Sequence, residues 1–187
     1  MQNAIVPGSI SDIAQKSNQS IAQSFVNAKI IAIVDVSGSM ATHDARDGRN
    51  RYDVALDELA QLQRSHPGEV AVLAFSGKVE FIPGGVPPLF GESTDLAGAL
   101  RFAKIADAPG LRFVVISDGQ PDDREKALQA ARAIEAQIDV VYVGPEDGKG
   151  AAFLALLASV GRGQAVQVSI NELASTVERL ALCYGTS

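Results

Sequence analysis

Apolar residues along this chain come in short uninterrupted runs, separated by longer stretches in which they recur at helical spacing. Ile30-Ile31-Ala32-Ile33-Val34, Val70 to Phe75, Leu111 to Ser117 and Ile138 to Val143 are apolar on both faces. That pattern belongs to strands covered from both sides in a parallel sheet. Val79-Glu80-Phe81-Ile82 follows the second run after only Ser76-Gly77-Lys78, which predicts a hairpin and an antiparallel neighbour. Ala165-Val166-Gln167-Val168 alternates like an edge strand. Between the strands, Ala55, Leu59 and Leu62 line one side of a helix, and Leu96, Ala99, Leu100 and Ala103 line another. Pro121 with Asp122, Asp123 and Glu125 opens a third, whose face of Ala127, Ala130, Ala131 and Ile134 is small enough to lie close on a sheet. Ala151 to Val160 reads as a short buried helix. Ser169 and Glu172 form a capping box for a last one carrying Leu173, Val177 and Leu180. Strands and helices in alternation define an α/β three-layer sandwich with a mostly parallel sheet.

Residues 9 to 27 differ from the rest. Ile10, Ile13, Ser17, Ile21 and Phe25 keep helical spacing behind Ser9 and Asp12, in a stretch rich in Ser, Gln and Asn. They predict one polar, weakly amphipathic helix: an arm that packs on the domain or joins copies of the chain together. The expected division is therefore an N-terminal helical extension over 1–28 and a domain over 29–187.

Composition narrows the function classes. The 187 residues are 47% hydrophobic and 20% charged, a single globular domain large enough to need no disulfide or metal staple. Sixteen Lys and Arg against 22 Asp and Glu leave a net charge of −6, which argues against nucleic acid or an anionic membrane as the main partner. One cysteine, Cys183, excludes an internal disulfide framework and fits a reducing compartment. No basic residue precedes Lys16, and the longest apolar runs are too short to span a bilayer. The expected location is the cytoplasm, away from membranes.

The chemistry gathers where strands end. In open α/β sheets ligands sit beyond the carboxyl ends of the strands. The first strand runs into Asp35-Val36-Ser37-Gly38-Ser39-Met40, and the fourth into Ser117-Asp118-Gly119. The loop before the helix carrying Leu96, Ala99, Leu100 and Ala103 reads Gly91-Glu92-Ser93-Thr94-Asp95-Leu96. Asp35, Ser37, Ser39, Thr94 and Asp118 offer hard oxygens with no His or Cys among them, which favours Mg²⁺, with Mn²⁺ possible, over zinc. Hydroxyls can bind such an ion directly, while the carboxylates bind it directly or hold its waters. A mostly uncharged ligand set would leave the ion electrophilic toward a carboxylate from outside.

Asp35-Val-Ser-Gly-Ser-Met40, Thr94-Asp-Leu and Asp118-Gly119 resemble the metal-ion-dependent adhesion site of the von Willebrand factor type A domain. The resemblance runs over roughly residues 29 to 182, with all five motif positions filled. It implies a six-stranded sheet in the order 3-2-1-4-5-6 with strand 3 antiparallel. It implies Ser37, Ser39 and Thr94 as direct ligands, and Asp35 and Asp118 acting often through water. It further implies a non-enzymatic module that takes an Asp or Glu of a protein partner onto the ion. The chain resembles the small intracellular bacterial members, including those related to tellurium-resistance proteins and those working with AAA+ ATPases, so a partner from an AAA+ or stress-resistance system is the expectation.

Other readings stand beside this one. The five residues are also ordinary turn and capping types, and Thr94 is placed to cap the helix that begins near Asp95. The mixed-charge loop from Ala41 to Asn50 lies next to the metal loop, where it is either a specificity element or simply solvated. Glu92 and Asp122 stand near the motif as ordinary surface acids. His43 and His66 lack a paired motif. A structural assembly subunit with a stabilising or vestigial metal site is one alternative. A Mg²⁺-dependent phosphohydrolase with Asp35 as nucleophile is another, weakened because Ser37 stands where a general acid is needed.

Overall fold

The computed structural model describes residues 5–45, 48–89, 91, 93–145 and 149–167. The expected final helix with its Ser169–Glu172 box, Cys183, Val168 and Glu92 lie outside the described residues. Six strands form one sheet: β1 (Ile30–Asp35), β2 (Val70–Phe75), β3 (Val79–Phe81), β4 (Arg112–Ser117), β5 (Gln137–Tyr142) and β6 (Arg162–Gln167). Their order is β3-β2-β1-β4-β5-β6, with β3 antiparallel to β2 and every other pair parallel. The order expected from the resemblance is the order found. The tight Ser76-Gly77-Lys78 turn accounts for the one antiparallel pair, since only a hairpin can join strands so closely.

Among the described residues six α-helices accompany the sheet: α1 (Ile10–Ser17), α2 (Ile21–Val26), α3 (Arg51–Ser65), α4 (Leu96–Ala103), α5 (Arg124–Arg132) and α6 (Lys149–Val160). Alternate residues of each central strand feed two cores. Ile31, Ile33, Leu73, Phe75, Phe113, Val115 and Val140 pack with the buried faces of α4, α5 and α6. Ala32, Val34, Val70, Val72, Val114 and Ile116 pack with Val54, Ala55, Leu59 and Leu62 of α3. The β1–α3–β2 connection thus crosses one face, and those through α5 and α6 cross the other. β1 and β4 are neighbours at this reversal, and the crevice beyond their carboxyl ends is where such a sheet presents a ligand site.

The N-terminal segment is two helices, not the single one over 9–27 that its spacing predicts. Asn18 takes the left-handed conformation at φ 52° and ends α1, and Ser20 starts α2 with a reciprocal capping box to Gln23. Asn tolerates that conformation better than most residues, so the break is local chemistry overriding periodicity. The segment is also packed into the domain. Ile10 is fully buried in the core beneath β1 and β2, and Phe25 meets Phe81 edge to face at 5.3 Å. Backbone bonds from Val6 to Gly84, Ser11 to Pro83 and Gly68 to Gly8 tie it to the β3 loop and to the start of β2. Ile10→Ala is expected to cost about 2–4 kcal/mol in urea denaturation. A loss under about 0.5 kcal/mol would show that the segment is an arm and no part of the core.

Candidate metal centre

Asp35 is the last residue of β1 and is fully buried. Its Oδ1 accepts the Ser37 amide at 3.0 Å, and its Oδ2 accepts the Ser117 hydroxyl at 2.7 Å. Burial pushes its carboxyl up to about 6, against the pull of the hydroxyl and amide of Ser37 and the hydroxyl of Ser117; the charge of Asp118 pushes the same way as burial. Asp35 thereby folds the following loop back on itself and aims the serines. The hydroxyls of Ser37 and Ser39 stand 3.1 Å apart, where a short 3-10 turn over Gly38–Ala41 begins.

Thr94 comes from the loop that precedes α4, and its neighbour settles its role. Asp95, not Thr94, caps that helix, accepting the Gly98 amide at 2.8 Å. The expectation that Thr94 caps α4 is therefore corrected: its backbone is one residue too early. Among the described residues no hydrogen bond holds the Thr94 hydroxyl. Its backbone is clamped by Asp122 from the loop after β4, whose Oδ2 accepts the Thr94 amide at 3.0 Å while its own amide donates to the Thr94 carbonyl at 3.1 Å. Asp122 thus acts as a brace between two loops.

Asp118 follows β4 and is buried. Its Oδ1 accepts the Gln120 amide at 3.3 Å, and its Oδ2 accepts Nη1 of Arg51 at 2.5 Å. Arg51 is itself buried at the first position of α3 and forks onto Asp44, Nε to Oδ1 at 2.7 Å and Nη2 to Oδ2 at 2.6 Å. These bonds hold the guanidinium firmly charged and pull the Asp44 carboxyl below its ordinary value. Arg51 and Asp44 escaped the sequence reading, although a signal existed: a cation in the first turn of a helix opposes the helix dipole and calls for a carboxylate from elsewhere. Within the Ala41–Asn50 loop, Asp44 is thus structural and not merely solvated, while His43 is exposed.

The structure brings Asp35, Ser37, Ser39 and Asp118 to the β1–β4 crevice, with Thr94 in the loop braced to it through Asp122. The donor set suits a hard divalent cation: neutral hydroxyl oxygens, aimed by buried carboxylates, with no soft ligand. Among the described residues no three His, Cys, Asp or Glu side chains group so as to hold a metal by themselves. An ion here would depend on Ser37, Ser39 and Thr94.

Layer order, strand order and the single antiparallel strand are those of the von Willebrand factor type A fold. Solved structures bear this out. An aerotolerance-related membrane protein from Bacteroides fragilis, carrying multiple mutations to serine, superposes with a TM-score of 0.66 at 19% identity over 83% of this chain and 97% of its own. A von Willebrand factor type A protein from Catenulispora acidiphila gives 0.53 at 17% identity, over 82% of this chain and 42% of its own. The manganese-loaded TRAP protein of Plasmodium vivax gives 0.53 at 14% identity, over 80% and 71%. No protein-family model and no curated protein matches the sequence. Among the described residues no helix is long and apolar enough to cross a membrane.

Proposed function

We propose that this chain is a cytoplasmic, non-enzymatic protein-interaction module that takes an Asp or Glu of a protein partner onto a divalent cation, Mg²⁺ or Mn²⁺, at the β1–β4 crevice. The observation that carries the reading is the hydroxyl pair of Ser37 and Ser39, 3.1 Å apart and aimed by the buried Asp35. Ser37, Ser39 and the unclaimed hydroxyl of Thr94 would hold the ion, and Asp35 and Asp118 would fix its waters. Bound there, the ion supplies an electrophilic position for a carboxylate oxygen. Asp35 has both oxygens engaged and no exposed surface, so it serves as an acceptor that orients the loop; this supports an interaction role over aspartyl phosphoryl transfer. The manganese-loaded state of TRAP lends support from a protein of the same fold. An AAA+ ATPase or a stress-resistance component is the partner class proposed.

The test is a thermal melt and an affinity pull-down, each run in Mg²⁺, in EDTA and with a Ser37→Ala, Ser39→Ala variant. Mg²⁺ at a hundred times its dissociation constant is expected to stabilise the wild type by about 2.7 kcal/mol and the variant not at all. A partner retained only by the wild type in Mg²⁺ supports the reading. Equal stabilisation of both proteins, or equal capture in all three arms, removes the function from this edge.

A further inference from the structure

We infer that Arg51 is a resident cation that competes with the divalent ion for Asp118 and so sets how tightly the crevice holds that ion. The inference rests on the metal reading above. Three observations carry it. The Asp118 side chain is fully enclosed, and one of its two oxygens is taken by Arg51 Nη1 at 2.5 Å. The guanidinium is buried as well and cannot swing aside freely, because two further N–H groups are forked onto Asp44. The crevice therefore holds a fixed guanidinium before any metal arrives, and Asp118, which would hold a water of the ion, already has a cationic partner.

Two consequences follow from Coulomb's law. A cation entering beside a buried guanidinium is repelled, in surroundings that screen poorly. The Asp118 oxygen bonded to Arg51 is aimed at the guanidinium, which leaves this carboxylate to hold a water and not the ion itself. With Asp35, Asp44 and Asp118 each at −1, Arg51 at +1 and the ion at +2, the occupied crevice would be neutral, whereas without Arg51 it would keep one negative charge. Arg51 thus weakens the ion's grip and offsets one of the carboxylates that would otherwise repel an anionic ligand. It acts as a positioning and charge-setting residue, reaching the ion only through Asp118. Asp44 fixes it from the neighbouring loop and links that loop to the site.

The experiment is Mn²⁺ binding followed by the electron paramagnetic resonance of the free ion, with metal-free melting recorded beside it. The proteins are the wild type, Arg51→Gln, Arg51→Lys and Asp44→Asn. Arg51→Gln is expected to melt lower without metal yet to bind Mn²⁺ about ten-fold tighter, on the order that removing one nearby charge gives. Arg51→Lys keeps the charge but not the fork onto Asp44, and is expected to tighten Mn²⁺ less than Arg51→Gln does. Asp44→Asn acts where the side chain is 37% exposed, so it remains measurable if Arg51→Gln fails to fold. It leaves the guanidinium to Asp118 alone and removes a nearby negative charge, so it is expected to weaken Mn²⁺ about two- to three-fold. A merely structural arginine would lower melting and weaken Mn²⁺ together, in the Lys variant too. Wild-type binding of Mn²⁺ with no tightening in Arg51→Gln, or with tightening in Asp44→Asn, overturns this inference and leaves the metal reading standing. No Mn²⁺ binding by the wild type overturns both.

Discussion

Replacing Asp35 by asparagine is expected to stabilise the metal-free protein at pH 7, although it removes a central residue of the site. The carboxyl of Asp35 titrates near 6 in the folded chain because burial disfavours its charge, against about 3.9 in an unfolded one. Between those values the native state holds a proton that the unfolded state has lost. Its contribution to stability is therefore complete below pH 4 and is lost as pH rises through 6. A carboxyl raised this far costs the folded state roughly 3 kcal/mol by pH 7 or 8, once both states are ionised. Asparagine fills the same space without the charge; its oxygen can keep the Ser37 amide, and its amide nitrogen would donate to the Ser117 hydroxyl in place of accepting from it. In EDTA, urea denaturation is expected to show the variant gaining on the wild type by about 2–3 kcal/mol between pH 4 and pH 8. A constant difference across that range would mean that Asp35 titrates normally. In Mg²⁺ the ranking should reverse, because the ionised carboxylate then has a cation to face.

Gly119→Ala is the second large effect, expected to destabilise by about 3 kcal/mol and to weaken Mn²⁺ binding with it. Gly119 sits at φ 73°, a conformation that costs an L side chain about 1 kcal/mol or more. A Cβ there would also run into the backbone of Gly150 at the start of α6, whose carbonyl carbon lies 2.7 Å from it. Neither side can give easily, since both contacts are main chain. The Gly119 amide donates to the Ser117 hydroxyl that in turn bonds Asp35, so strain at this turn reaches the carboxylate that aims the serines. Chemical denaturation and Mn²⁺ titration read the two effects separately. Retention of wild-type stability would mean that the α6 turn moves aside at no cost.

The strands were legible because they are buried on both faces: β1, β2, β4 and β5 announce themselves as apolar runs, and their ends shift by at most a residue or two. The hairpin was legible from a three-residue turn. Sheet order was not readable from periodicity, which carries no record of which strands are neighbours; it came from the likeness of the Asp35–Met40, Thr94 and Asp118 segments to a known site. Asp35, Ser37 and Ser39 were readable as a unit because they lie within five residues on one strand end. The Arg51–Asp118 pair was not, because its members are 67 residues apart and an arginine in a polar stretch looks solvated until the fold encloses it. Asp122 looked like a surface acid for the same reason, although its carboxylate braces the Thr94 backbone. The split between α1 and α2 turned on the local preference of one Asn, which an apolar spacing carried across the whole segment averages away.

The N-terminal segment is sewn to the start of β2 and to the loop after β3, whereas the serines and Asp118 lie at the opposite, carboxyl ends of the strands. Attachment through the N-terminus therefore grips the molecule at one pole and presents the crevice at the other. Tension between such an anchor and anything held at the crevice would run along the strands. It would load the β1–β2 and β1–β4 ladders in shear, with many backbone bonds resisting at once, and not peel them open one at a time. The sheet is built like a short strut, and its stiff axis joins the two ends.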